Sequence, residues 1–263
     1  MKTIARLSKS KPTIEGAGVH LQRAFGYPEA NLLDPFLLLD DFHSNKPKDY
    51  LAGFPWHPHR GIETVTYMIR GSVEHGDSIG NRGVINSGEV QWMTAGSGVI
   101  HQEMPKEFTG MMQGFQLWVN LPSSHKMMDP RYRGITANHI PEVKIYDGIR
   151  VKIIAGELNN IKGPVHDLVV DVEYLDVMME PQMEFTHKID GKYKTFAYVF
   201  EGSGFFSEKD KLIKKEHLVL FSNNDELRIR TAKNNLRFLL ISGIPIGESV
   251  AWLGPIVMNT QKN

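Results

Sequence analysis

The chain has 263 residues, enough for one large domain or two modest ones, each with its own core, and composition alone does not choose between them. Lysine plus arginine and aspartate plus glutamate balance at 30 each, so no global field draws the chain to nucleic acid or to an anionic membrane. The lack of cysteine excludes disulfides, thiolate zinc sites and cysteine nucleophiles; with no signal-like apolar stretch in MKTIARLSKSKPTIEG and no apolar run of about 18 residues anywhere, a soluble, cytoplasmic protein is expected.

Along the chain, the first segment that carries chemistry is FPWHPHRGIE, with His57, His59 and Glu63. Side chains alternate faces along a strand, so the three are expected on one face. ETVTYMI (63–69) follows as an apolar strand closed by Gly71, and beyond that turn EHGDS holds an H-x-D pair, His75 and Asp77, read as supporting or surface residues. EVQWMT (89–94) is a further strand. GSGVIHQEMP then places His101 and Glu103 on one strand face, before the strand GFQLWVNL (114–121). Two strands can aim these clusters at one point. Three neutral imidazoles with one or two carboxylates suit a divalent first-row ion such as Fe, Mn, Ni, Cu or Zn, and four ligands leave positions for water, substrate or dioxygen. That pattern describes a catalytic site better than a structural one. The other seven histidines (His20, His43, His125, His139, His166, His187, His217) are scattered and read as structural or solvated.

The interval from Pro122 to Pro141, rich in Pro, Ser, Asp and Met without a clear period, reads as a connection between two units. After it come VKIIAGE, LVVDVEYLDVMME, KTFAYVF, HLVLFS, ELRIRT and NLRFLLIS, short apolar or alternating runs bounded by turn residues, and no long amphipathic helix. The fold class is all-β. EKDKLIKKEH is mixed in sign and reads as a solvated hairpin. Tyr67 to Ser72 (YMIRGS) recurs as Tyr198 to Ser203 (YVFEGS) at an offset of 131, about half the chain. That offset puts Lys188 opposite His57, Asp190 opposite His59 and Lys194 opposite Glu63, and ELRIRT has no histidine. Two similar barrels are therefore expected, residues 1–134 and 135–263, with metal only in the first. AGSGV and EGSGF lack the third glycine of a dinucleotide loop and read as strand turns. Among the aromatics Trp56, Tyr67, Trp92, Phe115 and Trp118, core packing is expected for most, and a pocket role for Trp56 first because it adjoins the ligand strand.

FPWHPHRGIETVTYMIRG resembles the first cupin motif, and GEVQWMTAGSGVIHQEMP resembles the second in the form used by pirins. DPFLLLDDF, QLWVNLP, MMDPRY and WLGPIVMNT are similar to further pirin stretches, so the resemblance covers nearly the whole chain. It implies a bicupin of two double-stranded β-helix (jelly-roll) barrels with one metal ion, Fe(II) first among the candidates, held by His57, His59, His101 and Glu103. Glu63 then occupies the carboxylate position of many other cupins. The resemblance also implies a quercetin 2,3-dioxygenase type of oxygenase, cleaving a flavonol or related aromatic enol with dioxygen. In that scheme Glu103 accepts the substrate hydroxyl proton, Glu63 is a reserve base or supporting group, and Arg60 balances the carboxylates, binds substrate or forms a salt bridge at the rim. The alternative is a metal-carrying regulatory protein, a transcription cofactor acting through a protein partner; the neutral chain argues against direct nucleic-acid contact, and no membrane contact is expected.

Overall fold

In the computed structural model, which describes residues 1–207 and 211–261, the α-helix content of the described residues is the four-residue Ala30–Leu33, and nearly all other regular structure is β. The nine strands expected from alternation are all present, the fifth starting only at Val172. Apolar β-branched and aromatic residues on alternate positions favour this outcome, since one face of each strand can be buried while the other stays polar.

One unit is made of residues 11–139 and 246–263. Its larger sheet has seven antiparallel strands in the order Arg131–Ile135, Val90–Thr94, Ile62–Arg70, Met112–Asn120, Phe36–Ser44, Val19–Phe25 and Lys11–Glu15. Its smaller sheet runs Phe54–His59, Val99–Pro105, Val73–Asp77 and Arg82–Ile85. Val99–Pro105 shows why the sheets face each other. Val99, His101, Glu103 and Pro105 are buried while Ile100, Gln102 and Met104 alternate outward, as a pleated strand with one inward face requires. Thr66 and Gln116 of the larger sheet reach Glu103 of the smaller one directly. Arg131–Ile135 lies inside the stretch expected to be a plain connection; it pairs with Val90–Thr94 and extends the sheet.

The other unit comprises residues 1–10 and 140–245. Its main sheet is ordered Ile4–Lys9, His217–Phe221, Lys194–Gly204, Leu236–Gly243, Val172–Met179, Ile149–Ala155 and Glu142–Tyr146, with Ile213–Lys214 pairing off Lys194–Gly204. Glu184–Lys188 pairs separately with Glu226–Arg230. One apolar core joins Val151, Leu175, Val199 and Phe238 of the main sheet to Phe185, Leu227 and Ile229 of the pair. Of the run read as a solvated hairpin, Glu208, Lys209 and Asp210 lie outside the described residues. Ile213 within it is buried in this core.

The chain ends are exchanged relative to the division at residue 134. Ile4–Lys9 runs antiparallel to His217–Phe221 and so belongs with the second half. The hairpin Ala251–Leu253/Ile256–Met258 belongs with the first half, where Val257 N–H donates to the Arg60 carbonyl and Arg60 N–H to the Pro255 carbonyl. Lys126 fixes that attachment. Its buried ammonium donates to the carbonyls of Gly61 and Val257 at 2.9 and 3.0 Å and to Asn120 Oδ1 at 2.6 Å. Burial lowers its pKa to about 8, and three acceptors match its three donors. A pairing partner more than 190 residues away leaves no local sequence signal.

Candidate metal centre

Phe54–His59 and Val99–Pro105 pair antiparallel with His57 directly opposite His101 and His59 opposite Val99. This register, with the alternation along each strand, turns three imidazoles to one point. Nε2 of His57 lies 3.1 Å from Nε2 of His59 and 2.9 Å from Nε2 of His101, and one ligand atom from each ring falls within 4.8 Å of the others. His57 Nδ1 donates to the Pro55 carbonyl at 2.8 Å, which fixes its tautomer and leaves the Nε2 lone pair facing the centre. His59 and His101 are buried. Burial, and then the neighbouring histidines, hold His59 well below the usual histidine value and push His101 down to about 2.

His59 and His101 are thus held neutral, His57 turns its Nε2 to the same point, and converging lone pairs repel one another unless a cation stands between. Ligand nitrogens about 2.1 Å from a metal are about 3.0 Å apart at right angles and about 3.4 Å apart at tetrahedral angles. The observed spacings of 2.9 and 3.1 Å are of the size that nitrogens sharing one ion require. The donor set fits a divalent first-row ion.

Glu103 stands outside the mutual three-histidine set and lines the same cavity. Its Oε1 accepts from Thr66 Oγ1 at 2.6 Å and its Oε2 from Gln116 Nε2 at 2.8 Å. Glu63 is placed differently from the expectation that it shares a face with His57 and His59. Gly61, at φ +76°, turns the chain between Phe54–His59 and Ile62–Arg70, and these strands belong to different sheets. A Cβ at Gly61 would lie 2.0 Å from the Val257 carbonyl oxygen, so both the turn and the C-terminal hairpin need glycine there. After the turn strand parity restarts. Thr66 faces Glu103, whereas Glu63 is on the opposite face, accepting from Thr94 Oγ1 at 2.6 Å and Trp92 Nε1 at 3.1 Å. Glu63 does not line the cavity.

His75 and Asp77 are not surface residues. They are buried on the strand beside Val99–Pro105, in register with Glu103 and His101. His75 Nε2 is 3.1 Å from Asp77 Oδ2, and its ring meets that of His101 edge-on and stacks on Tyr132. Hydrogen bonds from Asn81 and His75 outweigh burial and hold the Asp77 carboxyl below the usual carboxylate range. Arg60 does not line the cavity; its Nη2 reaches the sulfur of Met127 at 3.0 Å.

The cavity beside the imidazoles measures about 460 Å³, within the range of small-molecule sites. Trp118 forms its inner wall, 5.0 Å edge-on from His59, and Trp252 and Tyr27 continue outward at 5.7 and 5.5 Å ring to ring. Of the five aromatics considered from sequence, Tyr67, Trp92 and Phe115 are fully buried, and Trp118 is the cavity residue. Trp56 corrects the expectation: it points to the outer face of the small sheet and is 53% exposed. Sequence reasoning also missed Arg23, Asp40, Gln116 and Trp252, since nothing local connects their segments to the histidines.

Two barrels in one chain, with a three-histidine site able to bind metal in one of them, define a bicupin. The pirin family pattern matches residues 18–119, and the pirin C-terminal cupin domain matches residues 174–263. A pirin-like protein of Caulobacter vibrioides is 41% identical over the whole of this chain and 94% of its own length. The crystal structure of a quercetin 2,3-dioxygenase from Acinetobacter baumannii superposes with a TM-score of 0.92 at 33% identity, covering 100% of this chain and 93% of that one. A bacterial pirin, YhhW of Escherichia coli, in complex with nickel(II) shares the fold at a TM-score of 0.70 and 19% identity, over 93% of this chain and 99% of that one. The chain belongs to the pirin family. No helix among the described residues is long and apolar enough to cross a membrane.

Proposed function

We propose that the chain is a metal-dependent oxygenase of the quercetin 2,3-dioxygenase type, acting on a flavonol or related aromatic enol with dioxygen. The observation that carries this reading is the convergence of three imidazoles, two of them, His57 and His59, on the wall of an aromatic cavity that also holds the buried carboxylate of Glu103. The relationship to the Acinetobacter enzyme supports it.

Nε2 of His57, His59 and His101 would hold one divalent ion, with Glu103 completing the set. Imidazole nitrogens with a carboxylate suit Fe(II), Ni(II), Mn(II), Cu(II) or Zn(II). When bound, such an ion supplies a Lewis acid for the enolate oxygen of the substrate and a place for dioxygen. Glu103 takes the proton of the substrate's enol hydroxyl on one carboxylate oxygen. Thr66 and Gln116 each engage one of those oxygens and leave it a second lone pair, so the carboxylate is aimed without being consumed. Trp118 and Trp252 offer flat apolar faces that orient an aromatic ring and exclude water around the proton transfer. Glu63, across the sheet and bonded to Trp92 and Thr94, supports the larger sheet and takes no part in proton transfer.

Oxygen uptake with quercetin tests the reading. Metal-free protein should be inert, and Fe(II) or another first-row ion should restore uptake. No uptake with any first-row ion across several flavonols and simple enols would overturn the enzyme reading in favour of a regulatory role through a protein partner.

A further inference from the structure

The larger sheet carries one inward row across four strands in register: Arg23 beside Asp40, Asp40 beside Gln116, and Gln116 beside Thr66. Gln116 and Thr66 are engaged by Glu103. The outer half of the row has no part in the reading above. Arg23 grips Asp40 through two parallel bonds, Nε to Oδ1 at 2.9 Å and Nη2 to Oδ2 at 2.8 Å, and its Nη1 pairs with Glu15 at 2.8 Å. All three residues line the cavity.

Such a clamp has a definite chemistry. The two-point grip fixes the plane of the Asp40 carboxylate and uses one lone pair on each oxygen, leaving each oxygen able to accept one more hydrogen bond. Asp40 is 5% exposed and burial pushes it up only to about 6, so at neutral pH it is still an acceptor. Its strand neighbours on the same face are Leu38 and Phe42, and one strand spacing, about 4.8 Å, separates its strand from that of Gln116, which touches Glu103. At the end remote from the imidazoles, Glu15 and Asp40 outnumber the guanidinium of Arg23, so a carboxylate is repelled there. A neutral ring with a hydroxyl donor is not.

We propose that the Arg23–Asp40 clamp is the specificity element of this cavity: Asp40 accepts a hydrogen bond from a hydroxyl on the ring remote from the imidazoles, so that neutral, planar, polyhydroxylated aromatics are chosen over aromatics lacking that hydroxyl and over carboxylates. The assignment rests on the proposed metal-dependent site and names the class of substrate that site takes.

Binding of quercetin and of 3-hydroxyflavone to metal-loaded protein, followed by tryptophan fluorescence, tests it, because the two share the enol end and differ in remote hydroxyls. Wild type should bind quercetin at least about 10-fold more tightly, the worth of one hydrogen bond to a charged group. Asp40→Asn should remove that preference and leave the affinity for 3-hydroxyflavone within about twofold. The double variant Arg23→Met/Asp40→Leu replaces the partly buried pair by apolar groups of similar size, a change often tolerated in folding, and should do the same. A preference for quercetin that survives in both variants, or equal binding of the two flavonols by wild type, overturns the clamp while leaving the oxygenase reading intact. Failure of both flavonols to bind metal-loaded wild type overturns both.

Discussion

The two units use the same strand pairing to opposite ends. In the first, Phe54–His59 lies against Val99–Pro105 with His57 facing His101, and the inward positions carry imidazoles and Glu103. In the second, Glu184–Lys188 lies against Glu226–Arg230 with His187 facing Leu227 and Phe185 facing Ile229. There Phe185, Leu227 and Ile229 are buried in one continuous apolar core, and His187 turns its Nε2 to both oxygens of Glu173 at 2.9 and 3.1 Å. The backbone does not make the site. Four or five inward side chains do, and where they are apolar the strand pair serves only as packing, since inward imidazoles without a cation would leave buried polar groups unsatisfied.

Removing inward ligands is the most severe way to break this contrast. His57→Ala, His59→Ala or His101→Ala should each abolish most metal binding, while His187→Ala should leave the metal content unchanged, both read by elemental analysis of tag-free protein. One bound metal per chain is expected in the wild type. Full occupancy in His101→Ala, or loss in His187→Ala, would reverse the roles assigned to the two strand pairs.

Next in size is Gly61→Ala. A left-handed backbone and a Cβ meeting the Val257 carbonyl should cost on the order of 3 kcal/mol. The effect should appear as a lower melting temperature together with protease access to the C-terminal hairpin; an unchanged melting temperature would mean that the hairpin is not held there.

Acid should separate the units by a smaller amount. His101 is held at about 2 when folded and returns to about 6.5 when unfolded, so between those values the unfolded chain binds the extra proton. Stability of the metal-free protein should therefore fall with pH below about 6.5, by roughly 1.4 kcal/mol per pH unit for such a histidine. His59, lowered in the same direction, adds to the slope. Denaturant unfolding at pH 7 and pH 5 reads this, and a flat profile would show that these imidazoles take up protons in the fold as readily as in the unfolded chain.

The finest contrast is between the two carboxylates. Glu103→Gln should weaken metal binding and abolish quercetin-dependent oxygen uptake even with excess metal. Glu63→Gln should cost no more than the roughly 10- to 100-fold of an indirect supporting change. The reverse order would move the proton acceptor to the far face of the larger sheet.

Much of this was legible in residues taken alone. The convergence of His57, His59 and His101, with Glu103 beside them, is readable because side chains two apart on a strand share a face. Glu63 shows where that logic fails: parity counts only while the strand continues, and Gly61 at a positive φ breaks it. Trp56 fails for a related reason. Adjacency to a ligand along a strand places a side chain on the opposite face.

The sequence by itself determined the β class and which histidines could share a strand face, because alternation acts over a few residues and is written locally. Only the tertiary structure decided which chain end completes which unit, that Arg23, Asp40 and Gln116 stand in one row, and that Trp252, far along the chain from all three histidines, walls the cavity beside them. Those relations come from cross-strand register and burial between distant segments. Their free energy depends on the folded neighbours rather than on any local pattern.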